Sequence, residues 1–418
     1  MERTLTGELR PRVGERVRLA GWLHHQRRLA RLTFVLVRDR AGLAQVVVED
    51  PAAIEAVAQL LPETVLEVEA TVASSRQAPG GIELRDPVFT VLAEPAEAPP
   101  VELRRPALKE QLPTILDHAA VALRHPRQRA VFELTAASVA GFRAALDRLG
   151  FVEIQTPKLV ASATEGGSNV FEVDYFGRPA FLAQSPQFFK QMLVGVFERV
   201  YEVGPVFRAE PHDTSRHLAE YVSLDAELGF VRDHFDVMRV LRDAVAGMVE
   251  GVRDRAGSAA ELLGVELPVV PDEIPWMHFA DTGVDDVDLS PADERRLCEE
   301  HGAEFLFVTG YPMAKRPFYT HPEPGRPGYS NSFDLLFRGL ELVTGGQRLN
   351  RYPDYVAALA ARGLSPEPYD GYLQAFRYGM PPEGGFAIGL ERWVARLTGA
   401  QNIRETTLFP RDLNRLTP

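Results

Sequence analysis

The chain is poor in cysteine, in long apolar runs and in positive charge. Its one cysteine, Cys298, excludes an internal disulfide and any multi-cysteine metal site. The helical surroundings SPADERRLCEEHG make Cys298 a buried or half-buried structural residue rather than a nucleophile. No uninterrupted apolar run approaches the ~18 to 20 residues of a membrane helix. The opening MERTLTGELRPRVGERVRL is charged throughout, so no membrane partner and a cytoplasmic location are expected. With 46 Lys and Arg against 58 Asp and Glu, the formal net charge is -12. That balance argues against a nonspecific coat on nucleic acid but leaves room for selective recognition by a local basic patch. With 45% hydrophobic and 25% charged residues, disorder is not expected either, and 418 residues allow two or three domains.

Short strands dominate the N-terminal region: RVRLAGWLHH, LTFVLV, LAQVVV, TVLEVEATV and IELRDPVFTVL. Turn signals RDRAG and SRQAPGG separate some of them, and a helical piece, PAAIEAVAQLL, follows the third. Five strands with a helix after the third fit an oligonucleotide-binding (OB) barrel over residues 1–98, although another small barrel fits the same pattern. The stretch EPAEAPPVELRRPALKEQLPT is rich in Pro and charge, which predicts a linker over 99–126. A second domain occupies 127–418. It begins with a helix up to Gly150, contains a mainly helical packing segment around 231–275, and ends in strands, glycine-rich turns and a last helix near Leu390. The expected fold class is α+β.

Three segments carry chemistry. FRAEPHDTSRHLAEY gathers Arg208, His212, Arg216 and His217 around Glu210 and Asp213. Such cations suit a polyanion like a nucleoside triphosphate; a solvated charged hairpin is the other reading. Arg208 and Glu210, two apart on a strand, share a face, and Tyr221 offers a ring for a base to stack on, or is a structural tyrosine. In PPEGGFAIGLERWVARL, glycines precede a helix whose first turn holds Glu391 and Arg392, aiming the arginine at whatever fills the cleft. Between them, SNSFDLLFRGLELVTGG places Asp334 and Glu341 on apolar strands. Buried carboxylates there predict either a magnesium site or an internal ion pair with an arginine. Their odd spacing puts them on opposite faces of one strand unless the chain turns at Arg338 and Gly339.

GFVEIQTP, the segment from FRAE to Tyr221, and GGFAIGLERW together resemble the three signature motifs of class II aminoacyl-tRNA synthetases. TEGGSNVF, LAQSPQFFKQML, YPMAKRPFYT and SFDLLFRGLELVTGGQR are further similar to aspartyl-tRNA synthetases of the compact kind typical of archaea and found in some bacteria. The resemblance runs over nearly the whole chain. It implies an OB-fold anticodon-binding domain, a catalytic domain built on an antiparallel sheet flanked by helices, and a homodimer formed through the first motif. The implied activity is ATP-dependent attachment of L-aspartate to tRNA through an aspartyl-adenylate, with ATP and Mg2+.

Residue by residue, the resemblance implies that Lys190 and Arg348 hold the substrate side-chain carboxylate. Glu165, Ser185, Gln187 and Asp225 surround its ammonium group. Arg208 takes the α-phosphate beside Glu210, Arg216 lines the ATP site, His217 and Arg392 take the far phosphates, and Tyr221 with Arg392 sandwiches adenine. Asp334, Glu341 and Thr344 match magnesium positions. In the barrel, Arg27, Phe34, Gln45 and Glu83 match anticodon-contact positions, with Phe34 stacking on the central uridine and Gln45 reading its edge; a core role is the other reading of Phe34. Two departures stand out: Arg27, Arg28, Leu29 and Ala30 replace the common Arg-Asp-Leu-Gly, and Tyr221 stands where phenylalanine is frequent. At His24 and Pro79 the chain resembles relaxed enzymes rather than those that reject tRNA-Asn. The resemblance therefore implies charging of both tRNA-Asp and tRNA-Asn, with an amidotransferase correcting the second product. An asparaginyl-tRNA synthetase and an inactive RNA-binding paralogue are the alternatives; Lys190 argues against the first, and intact Arg208, Glu210, Glu341 and Arg392 against the second.

Overall fold

The structure, a computed structural model, describes residues 1–161 and 170–418. It contains two compact units, Met1–His125 and Pro126–Pro418. In the first, alternating patterns produce β1 (Arg16–Arg28), β2 (Thr33–Asp39), β3 (Gly42–Val48), β4 (Val65–Ser74) and β5 (Ile82–Ala93). They close into a barrel in the order β1-β2-β3-β5-β4. Helix α1 (Pro51–Ala58) follows β3, started by Pro51 and capped by Asp50, which accepts from the Ala53 amide. Val17, Leu19, Val35, Val37, Val46, Val68 and Leu84 fill the barrel, so the residues between them point outward. This is the OB-type barrel expected from the sequence.

The Pro-rich stretch that follows carries two short helices, Leu112–Asp117 and Ala119–Ala122, and its own small apolar cluster of Val101, Leu103 and Ala122. Arg124 reaches Glu63 of the barrel at 3.0 Å.

The second unit is built on an eight-stranded sheet. Its strands are β6 (Val152–Glu153), β7 (Arg199–Phe207), β8 (Glu220–Gly229), β9 (Trp276–His278), β10 (Phe305–Thr309), β11 (Ser332–Phe337), β12 (Glu341–Gln347) and β13 (Glu383–Gly389), in the order β9-β10-β11-β12-β13-β8-β7-β6. From β10 to β7 every pairing is antiparallel, as expected, but both rim strands lie parallel to their neighbours. The connections explain this. A helix intervenes each time, α3 (Gln187–Phe197) before β7 and α6 (Pro291–His301) before β10, and parallel pairs require such a crossover. Helices α2 (Pro126–Arg148), α4 (His234–Arg255) and α5 (Gly257–Leu263) cover one face of the sheet. There α2 and α4 approach so closely that a Cβ on Gly141 would lie 2.0 Å from the Gly247 carbonyl oxygen. Three further helices, α7 (Tyr352–Ala360), α8 (Asp370–Arg377) and α9 (Leu390–Thr398), come from the C-terminal part. Among the described residues, no helix is long and apolar enough to cross a membrane.

Strand periodicity locates the working face. Leu224, Ala226 and Leu228 of β8 enter the helix-covered core, which turns Ser223, Asp225 and Glu227 to the opposite side.

Candidate active site

On that opposite side lies a cavity of about 300 Å³. It brings together Ser185, Gln187, Lys190, Arg208, Glu210, Arg216, His217, Tyr221, Asp225, Glu341, Thr344, Arg348 and Arg392, residues from widely separated parts of the sequence. Asp334 does not line it, and Glu165 lies outside the described residues.

One end of the cavity is set by the hairpin of β7 and β8. Their register pairs Val206 with Tyr221 and Phe207 with Glu220, so Arg208 leaves the strand end beside the tyrosine, its guanidinium 5.7 Å from the ring centre. Arg404 anchors the connecting loop, donating to the Thr214 carbonyl at 3.0 Å and to Asp213 at 2.5 Å. Thr214 Oγ1 lies 2.6 Å from His217 Nδ1. Burial lowers the His217 pKa, outweighing Glu210, and Arg392 lowers it further. At the β13–α9 junction, Glu391 is buried and accepts from the Val222 amide at 3.0 Å, tying the glycine-rich segment to β8. Burial raises Glu391 to about 7, against that hydrogen bond. One residue on, Arg392 donates to the Glu341 carbonyl at 3.3 Å, with the Glu341 carboxylate at 3.7 Å.

The turn between β11 and β12 falls where the sequence allowed it: Arg338 and Gly339 have φ of 48° and 71°. It pairs Asp334 with Thr344, whose hydroxyl donates to Glu341 Oε1 at 3.1 Å. Asp334, however, is buried against Arg316, both carboxylate oxygens 3.2 Å from Nη2. Burial pushes Asp334 up to about 6 although Arg316 opposes it. The ion-pair alternative thus describes Asp334 as it stands. Among the described residues no three His, Cys, Asp or Glu side chains gather as a metal cage. Glu341 with Thr344 still suits a magnesium ion drawing most ligands from phosphate and water, whereas Asp334 would first have to leave Arg316.

At the other end the groups are sealed. Lys190 Nζ sits 2.9 Å from Asp225 Oδ1 and 3.2 Å from Glu227 Oε2, and donates to the Phe386 carbonyl at 3.3 Å. Arg348 Nε donates to Glu227 Oε1 at 2.9 Å and Nη2 to the Gly385 carbonyl at 3.1 Å. Burial by itself would lower Arg348, but Glu227 raises it. Glycine is required at 385, since a Cβ would lie 2.1 Å from Glu227 Oε2. Gln187 Nε2, in the cavity wall, is buried without a hydrogen-bond partner among the described residues, a donor suited to a ligand oxygen. Glu227, Arg316, Gln191 and Glu383 escaped the sequence reading. Glu227 had a signal, standing two residues from Asp225 on one strand face; the partner of Arg316 is 18 residues away and had none.

In the barrel, Arg27 pairs with Phe34 across β1 and β2, and Leu36 with Gln45 across β2 and β3. Phe34, Gln45 and Glu83 alternate with core residues Val35, Val46 and Leu84, so with Arg27 they occupy the outer face. Gln45 Nε2 lies 3.5 Å from Glu83 Oε2. Phe34 is half-buried and not part of the barrel core. A bulge after Leu23 makes His24 an extra residue, so the next one, His25, stands opposite Leu36. His24 is buried, Nδ1 3.1 Å from Arg38, which grips Glu63 with two bonds of 2.9 and 2.7 Å. Burial, then Arg38, lowers His24 to about 4. Pro79 opens a short turn, Pro79–Gly81, between β4 and β5.

Comparison with known proteins adds the family. The model of class II tRNA synthetases (D, K and N) matches residues 111–413, and that of the OB-fold nucleic acid binding domain matches 17–92. The chain is 46% identical over 429 residues to a Thermus thermophilus protein named aspartate–tRNA(Asp/Asn) ligase, covering 100% of both chains. It is 44% identical to a Deinococcus radiodurans protein of the same name, covering 100% of this chain and 99% of that one. Among solved structures, the asparaginyl-tRNA synthetase of Pyrococcus horikoshii, complexed with asparaginyl-adenylate, superposes with a TM-score of 0.94 at 30% identity, covering 100% of both chains.

Proposed function

The chain belongs to the class II tRNA synthetases of the D, K and N group, and on that premise we propose that it joins L-aspartate to tRNA-Asp and tRNA-Asn at the expense of ATP. The substrate carboxylate attacks the α-phosphorus of ATP, the bond to the bridging oxygen breaks and pyrophosphate leaves. The terminal ribose hydroxyl of tRNA then attacks the activated carbonyl and AMP departs. Arg208 stabilises the charge developing on the α-phosphate, Arg392, Arg216 and His217 hold the outer phosphates, and Tyr221 stacks on adenine. Glu341 and Thr344 would hold magnesium, which would neutralise phosphate charge when bound. No side chain is a covalent nucleophile; positioning and charge do the work.

The observation that carries the choice of amino acid is the pair of buried cations Lys190 and Arg348 at the sealed end of the cavity. A carboxylate can accept their remaining N–H groups, whereas the amide nitrogen of asparagine would face a cation. Lys190 is one of four lysines in the whole chain. On the barrel, Phe34, Gln45, Arg27 and Glu83 read the anticodon, and relaxed tRNA choice rests on His24 and Pro79. A homodimer formed through the β6 edge, where Val152 is exposed, an amidotransferase acting on the tRNA-Asn product, and a cytoplasmic setting complete the reading. Kinetics with the two tRNA transcripts and the two amino acids test it. Aspartate should be attached to both transcripts with kcat/KM values within about tenfold, 1.4 kcal/mol, and asparagine to neither. Asparagine transfer at a comparable rate would reverse the amino-acid assignment, and a tRNA-Asp preference above about a hundredfold would overturn the relaxed reading.

A further inference from the structure

Behind the sealed end of the cavity lies one acid that the reaction does not use. Glu383 opens β13 and is fully buried. Its Oε1 accepts from Gln191 Nε2 at 3.0 Å, while its Oε2 is buried without a hydrogen-bond partner among the described residues. The surrounding donors are spoken for. Gln191 Nε2 also lies 3.2 Å from the Tyr355 hydroxyl, Tyr355 donates to the Leu349 carbonyl at 2.8 Å, and Tyr372 donates to Gln191 Oε1 at 2.9 Å. No cation pairs with the Glu383 side chain among the described residues. Glu227 Oε2 likewise has no hydrogen bond, only Lys190 at 3.2 Å.

We propose that Glu383 is a positioning residue that carries a proton and thereby fixes the net charge of the amino-acid pocket, making aspartate binding depend on that proton. This rests on the proposed aspartate-activating function and deepens it. With Glu383 neutral, Lys190 and Arg348 balance Asp225 and Glu227, and the substrate carboxylate enters a pocket of zero net charge. With Glu383 ionised, a third buried anion stands behind Arg348 and Glu227, and each substrate carboxylate meets repulsion that water cannot screen. The groups facing Glu383 are Glu227 from β8, Arg348 after β12, Lys190 and Gln191 from α3, Tyr355 from α7 and Tyr372 from α8. Burial, reinforced by Glu227, holds Glu383 well above the usual carboxylate range, against Gln191, Arg348 and Lys190. An acid raised in this way keeps its proton to a higher pH than an ordinary carboxylate and loses it as pH rises.

The test is aspartate-dependent ATP–pyrophosphate exchange by the full chain from neutral to alkaline pH, comparing wild type with Glu383→Gln. The wild-type KM for aspartate should rise about tenfold, one pKa unit's worth of interaction, on the alkaline side. Glu383→Gln, neutral at every pH and close in shape, should match wild type at neutral pH and flatten the rise. Parallel profiles, or a tenfold higher KM for the variant already at neutral pH, overturn the proposal. Should the variant not fold, calorimetry of aspartate binding to wild type in buffers of different ionisation heat decides: proton-neutral binding at neutral pH with uptake at alkaline pH supports it, and any other pattern overturns it. Absence of aspartate-dependent exchange at every pH would instead sink the function on which it rests.

Discussion

The two ends of the cavity hold their cations in opposite ways. Arg216 is exposed, Arg208 and Arg392 are half-buried, and the Arg392–Glu341 ion pair is loose at 3.7 Å. Lys190 and Arg348 are buried and tied to Asp225 and Glu227 at 2.9 to 3.2 Å. On the proposed reading the difference follows from what each end receives: a triphosphate brings several negative charges, and the arginines that meet it are only partly withdrawn from water. A buried cation cannot wait alone, because an unpaired charge in a dry site costs several kcal/mol. The sealed end is therefore neutralised in advance, and on the proposed reading it discriminates through hydrogen-bond geometry and net charge rather than through attraction alone.

Breaking the sealed end should cost most. Lys190→Met leaves buried Asp225 without its cation and Glu227 with Arg348 alone, so aspartate-dependent exchange should fall by at least about a thousandfold and the fold should lose ~3 to 5 kcal/mol. Chemical denaturation together with exchange measures both, and an unchanged stability would mean that the pair is less dry than it looks. At the open end, Arg208→Ala should lower activation about a hundredfold, the scale of one lost transition-state donor, with little change in stability; a loss of only a few-fold would remove Arg208 from the α-phosphate.

Acid titration probes the same contrast in the barrel and at the cavity edge. Glu391, raised to about 7, favours the fold when protonated, so its contribution is full below the ordinary carboxylate range and is lost as pH rises toward 7. Glu391→Gln should flatten that decline, read as thermal midpoints between mildly acidic and mildly alkaline pH; equal slopes for both proteins would show that Glu391 is hydrated. His24, lowered to about 4, acts in the opposite sense, favouring the fold above its ordinary value and costing stability as pH falls. The smallest effect concerns salt. Raising ionic strength should increase the KM for ATP a few-fold and leave that for aspartate nearly flat, since screening acts on exposed charges; equal responses would erase the distinction between the two ends.

Alternating strands, turn signals and the run of basic residues in FRAEPHDTSRHLAEY were legible in the sequence, because strand period and local charge are properties of neighbouring residues. So was the turn at Arg338 and Gly339, which a two-strand reading of Asp334 and Glu341 required. Phe34 had two readings, and only the closed barrel, with Val35 and Val37 pointing inward, turned it outward. Asp334 had two as well, and the chain had to bring Arg316 against it to make the ion pair. The bulge that separates His24 from His25 depends on the register with β2. The charge balance of the selective pocket was the least legible of all. Lys190, Asp225, Glu227, Arg348 and Glu383 come from α3, β8, β13 and the residue after β12, and their burial against one another exists only once the sheet has formed and closed the site to water.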